Sequence, residues 1–311
     1  ANSTGAVTYS TTTPLVCSVD GSGLVTNISA GRCTVTVSIA ADDNYNAATG
    51  SVLIRFGKVA QTAVTASSTI SSTTLTAGAS ITVSLTGGSG VGAVSFSTTS
   101  TTCSVNSSTG TVTLLGAGDC VIRATKASDL DYLVASDTVT ISVAKGTQTS
   151  LNVSSNRTTT TYGAGHSITV TATSGSGTGA GSFSTASTAC SVNSATGVVT
   201  ILGAGNCVIT ATKAADANYE VTDGTVTITV SKGSQATVTA TPASQTLTLG
   251  DGSTVVIAIN GGSGTGSISF SSSNTAVCTV DPNTGEVAII AAGSCVITST
   301  KAADANYLAA S

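Results

Sequence analysis

The chain has 311 residues, of which only 8% are charged, and its formal net charge is −4. Such a composition has no basic patch to neutralise phosphates and no polybasic segment for anionic lipid, so it predicts no nucleic-acid binding. The most apolar stretch, around residues 287–297, contains Gly and Ser and is too short to span a bilayer. We therefore expect no membrane insertion in this segment.

Four pairs of cysteines recur along the chain at an almost fixed interval. Corresponding cysteines lie 86 to 88 residues apart, which indicates a tandem array of one module. The pairs are Cys17 and Cys33, Cys103 and Cys120, Cys190 and Cys207, and Cys278 and Cys295. The interval predicts four modules, each the size of a small domain, over residues 1–57, 58–144, 145–231 and 232–311.

The first and last modules are predicted to be incomplete. The first begins at a segment that matches residues 92–97, so it lacks roughly its first thirty residues, the N-terminal strands. The last stops at Ser311, which matches Ser136, so it lacks its last strand. Two explanations stay open: the sequence is a window of a longer polypeptide, or neighbouring chains donate the missing strands as in pilus-type complementation.

Within the second module, short apolar–polar alternations are separated by turns of Gly, Ser and Asn. This pattern predicts an opening strand with a break, over residues 61–70 and at Leu75, followed by six further β segments. They are predicted at residues 81–85, 94–96, 103–105, 112–114, 120–125 and 139–143. Seven short strands with polar turns are typical of an all-β, Ig-like β-sandwich.

The alternation also predicts which side chains face the core. Cys207, Ile209 and Ala211 share one face of their strand, while the intervening Val and Thr residues share the other. Threonine favours strand geometry and presents a hydroxyl to water, which explains how a chain with few charges remains soluble. Because aromatic residues make up only 3% of the chain, Val, Ile, Leu and Ala must build each core.

Eight evenly placed cysteines without a CxxC pair indicate disulfides formed in an oxidising compartment. Local pairing satisfies every module in the same way, so the repeat favours one intramodule disulfide each, worth about 3 kcal/mol. Free or metal-binding thiols are the competing interpretation. A zinc site needs four ligands, and neither a His nor a second Cys pair accompanies any of these pairs. No metal and no cofactor is therefore predicted.

Junctions between the predicted modules are equally regular. Lys58, Lys145 and Lys232 stand 87 residues apart, and the next strand is predicted to begin within a few residues of each. Linkers this short leave little freedom between modules. The pattern predicts an elongated rod with no flexible connections.

The fourth module carries a family resemblance. Residues 271–281 lead to Gly285, Glu286 and Val287, and then to the cysteine-containing residues 292–298. This pattern resembles the bacterial Ig-like repeats of invasin- and intimin-type proteins and of very large bacterial surface proteins. The tail at residues 301–307 resembles the corner of a cysteine-containing variety of these repeats. The resemblance covers nearly the whole chain and implies an extracellular array on a bacterial cell surface, where such modules serve mostly as stalks and spacers.

A corner motif, Asp-x-Asp/Asn-Tyr, is the best candidate for chemistry. It occurs at residues 42–45, 129–132, 216–219 and 304–307. The favoured interpretation is that the Asp accepts hydrogen bonds from its own backbone to form a turn, which the Tyr anchors. The alternative is a calcium site that uses the two acidic or amide side chains, although no third acidic ligand or bidentate Glu follows.

Two other groups are candidates for chemistry. A lysine recurs beside the corner motif, at Lys126, Lys213 and Lys301, and an isopeptide bond is one interpretation, but the first module has Ile39 there. His166 is the sole histidine and has no accompanying nucleophile or base in the other modules, so it is interpreted as a turn residue. No catalytic residue is predicted, and the chain is predicted not to be an enzyme.

The predicted function is that of an extracellular structural protein, a rod-like stalk or shaft of a bacterial surface adhesin or fibre. One alternative is a subunit of a self-assembling extracellular filament with strand exchange between chains. Another is an accessory or carbohydrate-binding region of a secreted enzyme, which the absence of Trp disfavours. The expected partners are neighbouring copies of the module and, in a fibre, other chains.

Overall fold

The computed structural model describes residues 2–75 and 80–311, and its regular elements in those ranges are all β-strands. Across the same ranges, no helix has the length and apolar character needed to cross a membrane. The chain forms two compact units. The first comprises Ala1–Gly146 together with Ala217–Tyr219, and the second comprises Thr147–Asp216 together with Glu220–Ser311. The finer division into four modules stays a prediction, and every sheet lies within one of its ranges.

The first module has a three-stranded sheet in the order β1–β4–β5 and a two-stranded sheet β2–β3. Its strands are β1 (Val7–Thr11), β2 (Cys17–Val19), β3 (Val25–Asn27), β4 (Gly31–Ile39) and β5 (Ala48–Phe56).

The second module is a sandwich of two four-stranded sheets, in the orders β10–β11–β8–β6 and β7–β13–β12–β9. Its strands are β6 (Val64–Ser68), β7 (Ser72–Thr74), β8 (Ile81–Gly87), β9 (Val94–Thr98), β10 (Cys103–Val105), β11 (Thr111–Leu114), β12 (Gly118–Lys126) and β13 (Ala135–Ala144).

The third module repeats this arrangement, in the orders β14–β16–β19–β18 and β15–β21–β20–β17. Its strands are β14 (Asn152–Ser155), β15 (Thr159–Thr161), β16 (Ile168–Thr173), β17 (Gly181–Ser184), β18 (Cys190–Val192), β19 (Val198–Ile201), β20 (Gly205–Lys213) and β21 (Thr222–Ser231).

The fourth module has three smaller sheets, β22–β24, β23–β27–β26 and β25–β28. Its strands are β22 (Val238–Thr241), β23 (Val255–Val256), β24 (Ala258–Gly261), β25 (Ile268–Ser272), β26 (Cys278–Val280), β27 (Glu286–Ile289) and β28 (Ile297–Lys301). The all-β, Ig-like sandwich architecture predicted from the sequence is confirmed.

The predicted break in the opening strand is the point at which the chain passes from one sheet of the sandwich to the other. In the second module β6 pairs antiparallel with β8, and after the break β7 pairs parallel with β13 of the opposite sheet. One continuous segment therefore covers an edge of both sheets, which limits unwanted pairing with other chains. The third module makes the same switch with β14 and β15.

The alternating pattern places the core as predicted. On β20, Cys207 and Ile209 are fully buried and Ala211 is 1% exposed, whereas Val208 on the outer face is 38% exposed. The inward residues meet apolar partners on β21, since Cys207 lies opposite Ile228 and Ile209 lies opposite Val226. Each core is thus built mainly from aliphatic side chains, joined by Phe96 in the second module and Phe270 in the fourth.

One disulfide lies in each module, and in the first three modules it connects the two sheets. Cys103 on β10 bonds Cys120 on β12, with the Cα atoms 5.7 Å apart. The other pairs are Cys17–Cys33, Cys190–Cys207 and Cys278–Cys295. All eight cysteines are therefore oxidised, so the interpretation as free or metal-binding thiols is wrong.

We expect Ile209→Ala to lower the free energy of unfolding of the third module by about 2–5 kcal/mol, because it removes fully buried methylenes from a thin core. Val208→Ala, one residue away on the exposed face, is the matched control and should cost less than about 1 kcal/mol. Urea titration of the full chain, followed through amide NMR signals of the third module, measures both. Equal effects would contradict the face assignment.

Removing the third disulfide by Cys190→Ala with Cys207→Ala should lower the stability of that module by about 3 kcal/mol, because the 17-residue separation closed by the bond is released in the unfolded chain. The corresponding double variant at Cys278 and Cys295 should act on the fourth module alone. The same urea titration separates the two. Non-reducing peptide mapping should recover four local pairs, and peptides linked between modules would contradict the pairing.

Candidate functional site at the corner motif

The first aspartate of the corner motif forms a closed turn with its own backbone. Asp129 Oδ1 accepts hydrogen bonds from the backbone N–H of Asp131 at 3.0 Å and of Tyr132 at 2.9 Å. The Asp129 N–H in turn donates to the Tyr132 carbonyl at 3.1 Å. Asp42 and Asp304 make the same two side-chain bonds. This is the local turn that the sequence favoured.

The second carboxylate oxygen reaches a distant loop. Asp129 Oδ2 accepts from Val91 N at 2.6 Å, across 38 residues of sequence. The other corners bind the corresponding threonine through both its N–H and its hydroxyl. These pairs are Asp42 with Thr4, Asp216 with Thr178 and Asp304 with Thr265. Each aspartate therefore ties its corner to the loop that precedes β1, β9, β17 or β25.

The calcium interpretation finds no support in this geometry. Both oxygens of the first aspartate already accept N–H groups, which a calcium ion would have to displace. Throughout residues 2–75 and 80–311, no three His, Cys, Asp or Glu side chains are grouped in a way that would hold a metal ion.

A glutamine that the sequence reasoning missed holds the same corner from the other side. Gln148 is only 9% exposed. Its Nε2 donates to the carbonyls of Ala214 at 3.1 Å and Glu220 at 2.7 Å, and its Oε1 accepts from Gly177 N at 3.1 Å. Gln61 and Gln235 make the equivalent bonds in their modules. A recurrence three residues after each junction lysine was the signal that could have found it.

The glycine-rich turns beside the corner are required by close backbone approach. A Cβ atom at Gly179 would lie 2.0 Å from the carbonyl oxygen of Ala214, and one at Gly92 would lie 2.0 Å from that of Ala127. No side chain fits at such a distance. These turns are therefore part of the corner's packing, in agreement with their interpretation as turns.

The remaining candidates have local structural contacts. Lys126 Nζ donates to the carbonyls of Gly87 and Gly88, at 3.3 and 3.2 Å. The Nδ1 atom of His166 lies 2.9 Å from the hydroxyl of Thr160, which is 8% exposed. This contact joins the exposed His166 to the buried Thr160 of β15.

Backbone hydrogen bonds lower the pKa values of the corner aspartates. For Asp304 the N–H groups of Thr265, Asn306 and Tyr307 lower the pKa to about 2. For Asp42 the N–H groups of Asn44 and Thr4, with the hydroxyl of Ser3, hold the pKa well below its ordinary value. For Asp129 the N–H of Tyr132 is the main cause of a lowered pKa. The corner therefore uses the ionised carboxylate.

No protein-family model matches the chain, and no curated protein matches its sequence. Solved structures share a general likeness. Mouse protocadherin-24 EC1-3 is 13% identical, with a TM-score of 0.29 over 74% of this chain and 91% of that one. Domains 1-6 of the surface layer protein SbsC are 14% identical, with a TM-score of 0.27 over 97% and 50%. A SusE-like surface located polysaccharide binding protein from Bacteroides thetaiotaomicron is 11% identical, with a TM-score of 0.23 over 99% and 67%.

The similar structures are proteins built from repeated β-rich modules. The fold of this chain is assigned from its own strands and sheets. The chain spans about half the length of the surface-layer structure. The narrower resemblance to invasin- and intimin-type repeats stays a prediction.

Protonation of the corner aspartates at low pH should weaken the hydrogen bonds that they accept. The pKa of such a carboxyl group is lower in the folded chain than in the unfolded chain, where it is about 3.9. The ionised group therefore stabilises the fold in full above about pH 3.9, and this contribution is lost as the pH falls through the pKa of the folded chain. For Asp304 the loss is expected between about pH 4 and the folded pKa of about 2. An NMR titration of the Asp304 carboxyl carbon, together with the amide shifts of Thr265 and Tyr307, measures it.

Asp304→Asn is the control for this titration, because a carboxamide still accepts hydrogen bonds but does not ionise in this range. The acid-induced amide shifts at this corner should disappear in that variant. A carboxyl midpoint near 3.9 in the unsubstituted chain would contradict the assignment.

Proposed function

We propose that this chain is a structural segment of an extracellular protein, a stalk or shaft of a bacterial surface adhesin or fibre, and that it performs no catalysis. The observation that carries the proposal is the construction of the linkers. Gly233 donates its N–H to the Asn306 carbonyl at 2.9 Å, and its own carbonyl accepts from Leu308 N at 2.9 Å. The linker is therefore bonded into the corner of the following module, which removes the freedom of a flexible connection.

The chemistry of the modules suits an extracellular location. Each has a disulfide of its own, which persists in oxidising surroundings. The outer faces carry hydroxyls: on β21, Thr225 and Thr227 alternate with Val226 and the buried Ile228. With 10 Lys and Arg residues in 311, the chain offers few cleavage sites to trypsin-like proteases. Because the strands are paired, little exposed backbone is left for other proteases to cleave.

The test is small-angle X-ray scattering and electron microscopy of the full chain at several concentrations. Four modules each about 30 Å long should give a radius of gyration above about 30 Å, whereas a compact chain of this length would give about 20 Å. Straight particles of constant width are expected in the micrographs. A compact particle, or modules joined at random angles, would overturn the proposal.

A second candidate is a filament whose subunits exchange strands. In the first module β5 lies at the edge of its sheet, whereas the corresponding β13 of the second module is paired on both sides, with β12 and β7. Val52 and Leu53 on β5 are about half exposed, at 52% and 47%. An unpaired edge is a site for strand addition. Growth of the particle length with concentration would favour this candidate over the stalk.

A further inference from the structure

We infer that the third residue of the corner motif is a latch that fixes one module to the module before it. This inference rests on the proposed stalk function and specifies how a stalk of such modules is kept stiff. The partner of the latch is a backbone N–H in a short loop that precedes the strand of the second cysteine. That loop, residues 29–31, 116–118 or 203–205, is called the latch loop below.

The contact occurs within each of the two compact units. In the first unit, Ala30 N donates to Asp131 Oδ1 at 2.7 Å, and Ala117 N donates to Asn218 Oδ1 at 2.9 Å. In the second unit, Ala204 N donates to Asn306 Oδ1 at 2.8 Å. Donor and acceptor are 101 or 102 residues apart in every case, so each bond reaches beyond a single repeat.

The latch loop is shaped for this oxygen. A Cβ atom at Gly203 would lie 2.9 Å from Asn306 Oδ1, and one at Gly116 would lie 2.9 Å from Asn218 Oδ1. The residue after the donor is a glycine with positive φ, 121° at Gly118 and 134° at Gly205, a conformation that other residues rarely adopt. In loops 116–118 and 203–205 glycine stands on both sides of the alanine, whereas the first loop has Ser29 before Ala30 and keeps only the glycine that follows.

The latch residue accepts two hydrogen bonds, one through its backbone carbonyl and one through its side-chain oxygen. The Asn306 carbonyl accepts the N–H of the linker residue Gly233, while its side-chain oxygen accepts the N–H of Ala204. The two attachment points are neighbours, since Gly205 at the start of β20 lies opposite Val230 near the end of β21, which leads into the linker. An oxygen acceptor on a short side chain is required, and both Asp and Asn supply it.

The corresponding corner of the first module shows what the latch residue looks like without this bond. Asn44 is exposed, whereas Asp131 and Asn306 are half-buried. The neighbouring Tyr45 is 49% exposed. Tyr307, by contrast, is half-buried and packs edge-on against Tyr162, with ring centroids 5.4 Å apart. Burial of the latch residue and its tyrosine thus accompanies the contact with the preceding module.

The experiment compares Asn306→Ala with Asn44→Ala in the full chain. Hydrogen exchange of the Ala204 amide, followed by NMR, should accelerate at least tenfold in Asn306→Ala, because that amide loses its acceptor. Heteronuclear relaxation should show the third and fourth modules tumbling more independently. Asn44→Ala is the matched control, the same residue at the same motif position, and should leave Ala204 unchanged. Asn306→Asp should retain the protection, as Asp131 does in the first unit.

A variant on the opposite side of the contact guards against a folding defect in the fourth module. Gly203→Val places a branched side chain against Asn306 Oδ1 without altering the corner, a larger group than the Ser29 of the first latch loop, so it should also expose the Ala204 amide while the turn amides of Asn306 and Tyr307 stay protected. Unchanged Ala204 exchange in both Asn306→Ala and Gly203→Val would overturn the latch. If the scattering still showed an extended, straight particle, the stalk proposal would stand and only the latch would fall.

Discussion

Each module places one ionised carboxylate between two sets of backbone amides, and much of its end structure depends on that group. Asp304 Oδ1 accepts from Asn306 and Tyr307 in its own turn, while Oδ2 accepts from Thr265 in a loop 39 residues away. In a chain with 8% charged residues, such a charge is seldom balanced by a neighbouring charge, and backbone N–H groups stabilise it instead. The ordered turn then presents Asn306 and Tyr307, whose N–H groups it binds, in a fixed direction.

The thin cores explain why this polar framework matters. With aromatic residues at 3%, a module buries mainly Ile and Val, so the area removed from water per residue is modest. The intersheet disulfide limits the unfolded chain, and the corner carboxylate with its glutamine organises the end of the sandwich that the core does not reach. Buried polar groups such as Gln148 contribute because all their partners are supplied.

The sequence alone predicted the features that depend on a regular spacing of residues along the chain. The alternation on β20 assigned Cys207 and Ile209 to the core, and the repeat restricted the cysteine pairing, because both depend on spacing that is visible along the chain. It also predicted the Asp turn, whose bonds span two or three residues. The role of Gln148 was missed because its partners lie 66 and 72 residues away. The sequence predicts Asn306 only as part of a turn or as a calcium ligand, because nothing near it in the chain marks it as the acceptor for Ala204.

The placement of the disulfide connects the core to the junction. Cys207 follows the latch loop by two residues, so the bond to Cys190 anchors that loop to the opposite sheet. The linker leaves from β21, which pairs with β20 along its length. In the proposed stalk, a load applied to the fourth module through Gly233 and Asn306 would therefore enter two adjacent, hydrogen-bonded strands, one of them covalently tied across the sandwich. A single attachment would permit rotation about the linker, whereas two attachments on neighbouring strands oppose it. The same cysteine thus stabilises the module and supports its connection to the next.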